Sequence, residues 1–299
     1  MSDTLAFYTL DVFTDTAFAG NPLAVVLDAD ALTTVQMQQL AGEFNLSETV
    51  FVQRTAHADA DFRVRIFTPS IEMPFAGHPT VGTACLLAEL GVPRRQVEQI
   101  VLEENVGLVP VRLVSETARP WFAELTTALG PEVRAPDFDV ALLPAVLGLD
   151  AAGISGVRLA SCGAVFVLVT LRQPELLASI AFDPTAARRL LVGSWAHGFH
   201  IAALGYEGEW RCRMFAPDLG VGEDPATGGA AVAFAGAMAL DAAARGEQGE
   251  FAWTLHQGVE MGRPSLLQAS ASIAEGRVTA VRVGGHAVRV SEGRIRIPQ

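Results

Sequence analysis

One eight-residue pattern occurs twice in this chain. Phe62-Arg63-Val64-Arg65-Ile66-Phe67-Thr68-Pro69 returns 148 residues later as Trp210-Arg211-Cys212-Arg213-Met214-Phe215-Ala216-Pro217. Aromatic, Arg, apolar, Arg, apolar, Phe and a closing Pro occupy matching places. Alternation with a period of two marks a strand with one buried face, so each half contains one such strand. Each strand leads into a turn of small residues and then an apolar helix. In the first half the turn is Phe75-Ala76-Gly77-His78-Pro79-Thr80-Val81-Gly82. In the second it is Glu223-Asp224-Pro225-Ala226-Thr227-Gly228-Gly229, followed by an alanine-rich run to about Ala244. Beyond the strands the register drifts. His78-Pro79 lies 146 residues from Asp224-Pro225, whereas Thr80-x-Gly82 lies 147 from Thr227-x-Gly229, so the true counterparts in the turns stay open.

Periodicity and turn chemistry order the rest of the chain. Residues 5–13 and 22–27 read as strands joined by the polar, Gly-containing loop 14–21. Thr33 is placed to cap a helix, with Gln36 reaching back to it. Leu32, Val35, Leu40, Ala41 and Phe44 then recur at near-helical spacing. After the break at Asn45-Leu46-Ser47-Glu48-Thr49 comes the strand 50–52, so Glu48 stands where a helix hands over to a strand and can project into a cleft. The first apolar helix is expected to run to about Leu90 and stop at Gly91 and Pro93. Two strands flank Glu104-Asn105-Val106-Gly107. In the second half a short helix is expected at 139–147, two strands within 157–171, a helix at 184–192 and a strand at 198–204. Gly284-Gly285, between two alternating segments, reads as a hairpin turn. Strands outnumber helices and many are hairpin-linked. The expected class is α+β, with two pseudo-symmetric halves, 1–118 and 119–299, each wrapping a largely antiparallel sheet around one apolar helix. The last strand would be free to cross back to the first half.

Composition removes whole classes of function. No lysine occurs among the 21 basic residues. That excludes an internal pyridoxal-phosphate Schiff base, a Lys-dependent aldolase and a P-loop. A net charge of −12 argues against a nucleic-acid partner. Cys85, Cys162 and Cys212 are odd in number and widely spaced, which fits neither a zinc site nor a disulfide framework. The N-terminus lacks a signal-peptide pattern, and segment 225–244 is built from Ala and Gly, as in a tightly packed central helix and not a membrane span. A cytoplasmic protein is expected.

The two turns carry the candidate chemistry. Helix N-termini leave backbone N–H groups without intrahelical partners and present the positive end of the helix dipole. Two of them facing one cleft would hold a carboxylate or a developing enolate without a metal. Gly77, Gly228 and Gly229 would let the anion approach the backbone closely, with Thr227 beside it. A Pro at the first helical position would sacrifice no hydrogen bond. Glu48, His78 and Asp224 are the candidate acid/base groups, and a carboxylate enclosed in an apolar cleft can take up a proton and return it elsewhere. Each also has an ordinary reading: Glu48 as a surface acid, His78 as a satisfied core histidine, Asp224 as a helix N-cap. The pair His197-x-x-His200 lacks a carboxylate at metal-site spacing, and no Gly-x-Ser-x-Gly elbow of a serine hydrolase occurs.

Several ordered motifs resemble the phenazine-biosynthesis PhzF-like family, relatives of diaminopimelate epimerase in fold. They are Asp11-Val12-Phe13-Thr14 with Gly20-Asn21-Pro22-Leu23-Ala24-Val25, Asn45-Leu46-Ser47-Glu48-Thr49, and Arg65 to Pro69 with Pro74 to Thr80. Arg213 to Pro217 with Glu223 to Gly228, Gln257-Gly258, and Met261 to Ser265 complete the set, so the likeness runs nearly end to end. It implies that each half is a β-barrel-like roll around a central helix, with the site between the halves and a homodimeric assembly. The epimerase relatives use two cysteines at the helix-mouth turns. Here those turns hold Gly77-His78 and Asp224 and no Cys, which argues against a two-thiol racemase. In the phenazine enzyme the residue matching Glu48 moves a proton across a dihydro-hydroxyanthranilate ring, with residues matching His78 and Asp224 assisting. The family commonly reads Asp-Pro-x-Thr-Gly-Ser, and here the last position is Gly229. One hydroxyl is absent while the backbone N–H remains.

The expected function is therefore a cofactor-independent isomerase acting by Glu48 acid/base chemistry on a small carboxylate-bearing molecule, with no metal. A non-catalytic binding member of the same fold is the alternative. Enclosure of Glu48 would favour the enzyme, and full exposure the binding role.

Overall fold

The structure is a computed structural model that describes residues 3–92, 98–115, 117–217 and 221–299. It divides into two compact units, residues 1–125 with 284–299, and residues 126–283. Pro93, expected above to stop the first apolar helix, lies outside the described residues.

The first unit opens with β1 (Thr4–Val12) antiparallel to β2 (Asn21–Val26). α1 (Thr34–Phe44) starts at the expected capping box, with Thr33 accepting from the Gln36 backbone, and ends at Asn45 in the left-handed conformation. β3 (Glu48–Gln53) runs parallel to β2, β4 (Phe62–Phe67) antiparallel to β3, and the short β5 (Glu72–Met73) antiparallel to β4. Then come α2 (Gly77–Glu89), β6 (Gln99–Glu104) parallel to β4, and β7 (Gly107–Val114) antiparallel to β6. β8 (Phe122–Thr126) pairs with β7 from Val111 opposite Leu125 to Val114 opposite Phe122. Residues 119–125, of which 122–125 form that ladder, count with the first unit, beyond the division expected at 118/119.

The second unit contains β9 (Glu132–Arg134), α3 (Leu143–Leu147), β10 (Ile154–Ser161), β11 (Val165–Leu171), α4 (Glu175–Ala178) and α5 (Pro184–Leu190). β12 (Gly198–Leu204), β13 (Trp210–Ala216), β14 (Val221–Asp224), α6 (Gly228–Ala244), β15 (Gly249–Gln257), β16 (Ser265–Ala274) and β17 (Arg277–Arg296) follow. From β10 to β16 the pairings repeat those from β1 to β7. β10 is antiparallel to β11, β11 parallel to β12, and β12 antiparallel to β13. β13 is antiparallel to β14 and parallel to β15, which is antiparallel to β16. In both units one helix interrupts a largely antiparallel sheet at the same point.

The paired arginines now have a physical reason. Arg65 clamps Glu72 on β5 at 2.7 and 2.6 Å, and Arg213 clamps Glu223 on β14 at 2.8 Å twice. Each guanidinium also lies over the next Phe ring, 5.1 Å from Phe67 and 5.0 Å from Phe215. The Arg65 hydrogen bond holds the Glu72 carboxyl below the usual carboxylate range. Each clamp ties the repeat strand to the short strand that leads into the helix-mouth turn.

α2 and α6 are buried nearly all round, and glycines let them approach their neighbours. A Cβ at Gly82 would lie 2.6 Å from Val12 Cγ2 and 2.7 Å from Leu23 Cδ2. At Gly236 it would lie 2.6 Å from Pro131 Cβ and 2.7 Å from Cys162 Sγ. Among the described residues no helix is long and apolar enough to cross a membrane.

The hairpin expected at Gly284-Gly285 does not form. β17 runs unbroken through both glycines, residues 277–283 counting with the second unit and 284–296 with the first, where they pair with β1. Gly284 serves close packing instead, since a Cβ there would sit 2.6 Å from Phe122 Cζ and 2.8 Å from the Ala123 carbonyl oxygen.

Candidate active site

In the first unit the site is built at the mouth of α2. Ala76, extended, is the N-cap and supplies no side-chain cap, whereas Thr33 and Asp183 cap α1 and α5 with their own side chains. The amides that open α2 at Gly77 and His78 are therefore presented without a competing side-chain acceptor. Pro79 is the third helical residue, where its missing N–H costs nothing.

His78 meets Glu48 here. The αL turn at Asn45 sends the chain from α1 into β3, and parallel pairing with Leu23 of β2 sets Glu48 at the start of that strand. Glu48 Oε2 lies 3.2 Å from His78 Nδ1, with 18% of the Glu48 side chain and 5% of the His78 ring exposed. Glu48 is thus neither a fully exposed acid nor a sealed core residue. A nearby carboxylate favours a charged ring and burial opposes it. Burial is the larger effect and pushes the His78 pKa down to about 3, against a hydrogen bond to the Pro22 carbonyl. At neutral pH His78 is an uncharged imidazole, and its Nε2 has no hydrogen-bond partner.

In the second unit the mouth of α6 is organised differently from the expectation. Thr227 is the N-cap and Asp224 closes β14 opposite Met214, so Asp224 is not the cap and Pro225 lies before the helix. Thr227 does not cap with its side chain either. Its hydroxyl donates to Asp224 Oδ2 at 2.5 Å, which again leaves the amides of Gly228 and Gly229 without a side-chain acceptor at the helix start.

Gln257 holds this turn at three points. Its Nε2 donates to the Asp224 carbonyl at 2.7 Å and to Thr227 Oγ1 at 3.0 Å, and its Oε1 accepts from the Thr227 backbone at 3.3 Å. Sequence reasoning met Gln257 only as part of a family motif. Its signal was slight, an amide at the buried end of an alternating strand just before a glycine.

Gly229 is the second residue of α6. A Cβ there would make ordinary contacts, 3.8 Å from the Phe166 ring and 3.9 Å from Ala164 Cβ, so a serine fits. Gly229→Ser is expected to leave thermal unfolding unchanged or raise stability by up to about 1 kcal/mol, because glycine loses more backbone freedom on folding. Its hydroxyl should tighten carboxylate binding by about 1 kcal/mol, measurable by calorimetry.

Of the residues expected from the sequence to carry the chemistry, Glu48, Gly77 and His78 belong to the first unit and Asp224, Thr227, Gly228 and Gly229 to the second. His197 and His200 do not converge on a ligand. His197 is exposed before β12, while His200 is buried in that strand against Phe234, and burial pushes its pKa down to about 4. Among the described residues no group of three or more His, Cys, Asp or Glu side chains is arranged to hold a metal ion.

Comparison with known proteins returns one consistent picture. The profile of the family described as phenazine biosynthesis-like protein matches residues 10–293. The chain is 42% identical to an uncharacterized isomerase of Mesorhizobium japonicum, covering 98% of this chain and 99% of that protein. It is 35% identical to the trans-2,3-dihydro-3-hydroxyanthranilate isomerase of Pseudomonas aeruginosa, covering 96% and 98% respectively. Among solved structures it is similar to the Bacillus anthracis phenazine biosynthesis protein of the PhzF family. There the TM-score is 0.88 at 25% identity, over 99% of this chain and 100% of that one.

Proposed function

Because this chain belongs to the phenazine biosynthesis-like protein family and is an enzyme of the isomerase class, we propose that it moves a proton on a small carboxylate-bearing substrate, with Glu48 as general acid/base. The observation that carries the proposal is the Glu48–His78 contact of 3.2 Å at the uncapped mouth of α2. Glu48 takes the proton from carbon and returns it at another position. Neutral His78 orients the carboxylate without adding a fixed positive charge that would weaken it as a base. The substrate's carboxylate, and the charge that develops on it, is bound by backbone amides at the helix mouths, Gly77 in the first unit and Gly228 and Gly229 in the second each offering such amides. Asp224, held by Thr227 and Gln257, polarises or relays. Base and charge stabilisation both come from the chain, so the reading assigns no cofactor. Partial enclosure of Glu48 supports turnover over a purely binding role.

Exchange in heavy water tests this. Trans-2,3-dihydro-3-hydroxyanthranilate, the substrate named for the Pseudomonas aeruginosa relative, and a panel of aromatic and alicyclic carboxylates are incubated with the protein and a chelator. Deuterium is expected at carbon in at least one of them. Tight carboxylate binding with no exchange across the panel would establish the binding role instead.

A further inference from the structure

Behind its helix mouth each unit carries a hydrogen-bond chain of the same plan, built from different residues. In the second unit Gln257 Nε2 donates to Thr227 Oγ1, which donates to Asp224 Oδ2. Glu104 occupies the matching place in the first unit. β6 lies parallel to β4 with Arg63 opposite Glu103, as β15 lies parallel to β13 with Arg211 opposite His256, and the next residue is Glu104 in one and Gln257 in the other. Glu104 Oε1 is 2.7 Å from Thr80 Oγ1, and Thr80 Oγ1 is 2.7 Å from the carbonyl of Ala76, the N-cap of α2.

Proton counting decides how this chain runs. Thr80 has a single hydroxyl hydrogen, and the Ala76 carbonyl can only accept. If Glu104 were ionised it too could only accept, and one of the two short contacts would set lone pair against lone pair. The count closes when Glu104 donates to Thr80 and Thr80 donates to Ala76, the same order of donor, hydroxyl and acceptor as in the second unit. We propose that Glu104 is a positioning residue for the reaction, holding the first turn of α2 as a hydrogen-bond donor through Thr80 and the Ala76 carbonyl. The proposal rests on the proton transfer assigned above to Glu48 and His78, since His78 lies in the turn that Glu104 sets.

The environment agrees. Glu104 is 3% exposed, and burial pushes its pKa up to about 8, with the Thr80 hydroxyl opposing. Its Oε2 has no hydrogen-bond partner. The charged and titratable side chains on the elements around it are Glu48 on β3, His78, Cys85 and Glu89 on α2, Arg63 and Arg65 on β4, Glu103 on its own strand and Arg112 on β7. The three arginines pair with Glu103, Glu72 and Glu124. Above pH 8 Glu104 becomes an acceptor, and Thr80 must turn its hydrogen away from Ala76.

Glu104→Gln, the residue found at position 257, tests this directly. An amide keeps the donor and cannot ionise. In the wild type the amide NMR signals of Gly77 and His78 should shift with a midpoint near pH 8, a transition absent from Glu104→Gln. Stability gives a second readout. The raised pKa makes the folded wild type hold a proton that the unfolded chain releases, so its stability falls between about pH 4.5 and 8. The Tm of Glu104→Gln minus that of the wild type should therefore rise across this window and level off above it. Glu104→Leu should lower the exchange rate by about tenfold or more through a displaced mouth; the wild-type rate should decline above pH 8, and Glu104→Gln should restore most of the activity without that decline. No transition in the Gly77 and His78 signals, its survival in Glu104→Gln, or failure of Glu104→Gln to rescue Glu104→Leu's loss would each overturn the proposal. The NMR and Tm readouts use no substrate, so they stand even if Glu48→Gln exchanges normally and the catalytic reading falls.

Discussion

Glu48→Gln is expected to abolish deuterium incorporation from solvent, with turnover falling by about 10²–10⁴-fold, the usual contribution of a positioned acid/base. Glutamine has the shape of glutamate and can still lie against His78, so the mouth of α2 should keep its form. What the amide cannot do is take a proton from carbon. Binding should persist, because the carboxylate of the substrate is assigned to backbone amides and not to the Glu48 side chain. The expected result is therefore a loss in kcat with little change in the dissociation constant of a carboxylate ligand. Exchange at the wild-type rate in this variant would remove Glu48 from the mechanism.

Gly258→Ala is expected to have the largest effect on stability. Gly258 has φ +75°, and a Cβ there would lie 2.4 Å from the Arg263 carbonyl oxygen and 2.6 Å from that of Pro225. Both obstacles are backbone, so neither can swing aside as a side chain would. Left-handed strain of about 1–2 kcal/mol and overpacking of about 1–3 kcal/mol together give about 2–5 kcal/mol. For a unit of this size that lowers Tm by on the order of 10 °C. Gly276→Ala is the control, since Gly276 also has positive φ, at +72°, but nothing lies within 4 Å of its Cβ position. The difference between the two variants isolates the clash. Because the clash pushes on Pro225, Gly258→Ala should also displace Asp224 and Thr227 and reduce exchange, whereas Gly276→Ala should leave exchange unchanged.

Much of the architecture was legible where local chemistry decides. The Thr33–Gln36 capping box formed as read, because both partners lie within one helical turn. The strand around Phe62 and its copy around Trp210 were legible from alternation alone, and the paired arginines marked the clamps to Glu72 and Glu223 without revealing them. Gly284-Gly285 was misread for a physical reason. Two adjacent glycines permit a tight turn, and they equally permit a strand to pass close to a bulky neighbour. Phe122, 162 residues away in sequence, selects the second use.

The helix-mouth turns show the same division. Their small residues and position before an apolar helix announced two helix N-termini, since the missing hydrogen-bond partners of a first turn are a local property. The roles of Thr227, Gln257 and Glu104 were not visible, because each depends on a strand that returns beside the turn from beyond the helix. The sequence alone therefore determined the twofold repeat, the run of strands and helices and the composition of the two turns. Only the tertiary structure decided that His78 is neutral beside Glu48, that Asp224 is held from Gln257 and does not cap α6, and that Glu104 is buried against the Thr80 hydroxyl. Burial and the partner of each polar atom are set by residues far apart along the chain, and these two quantities fix protonation and hydrogen-bond direction.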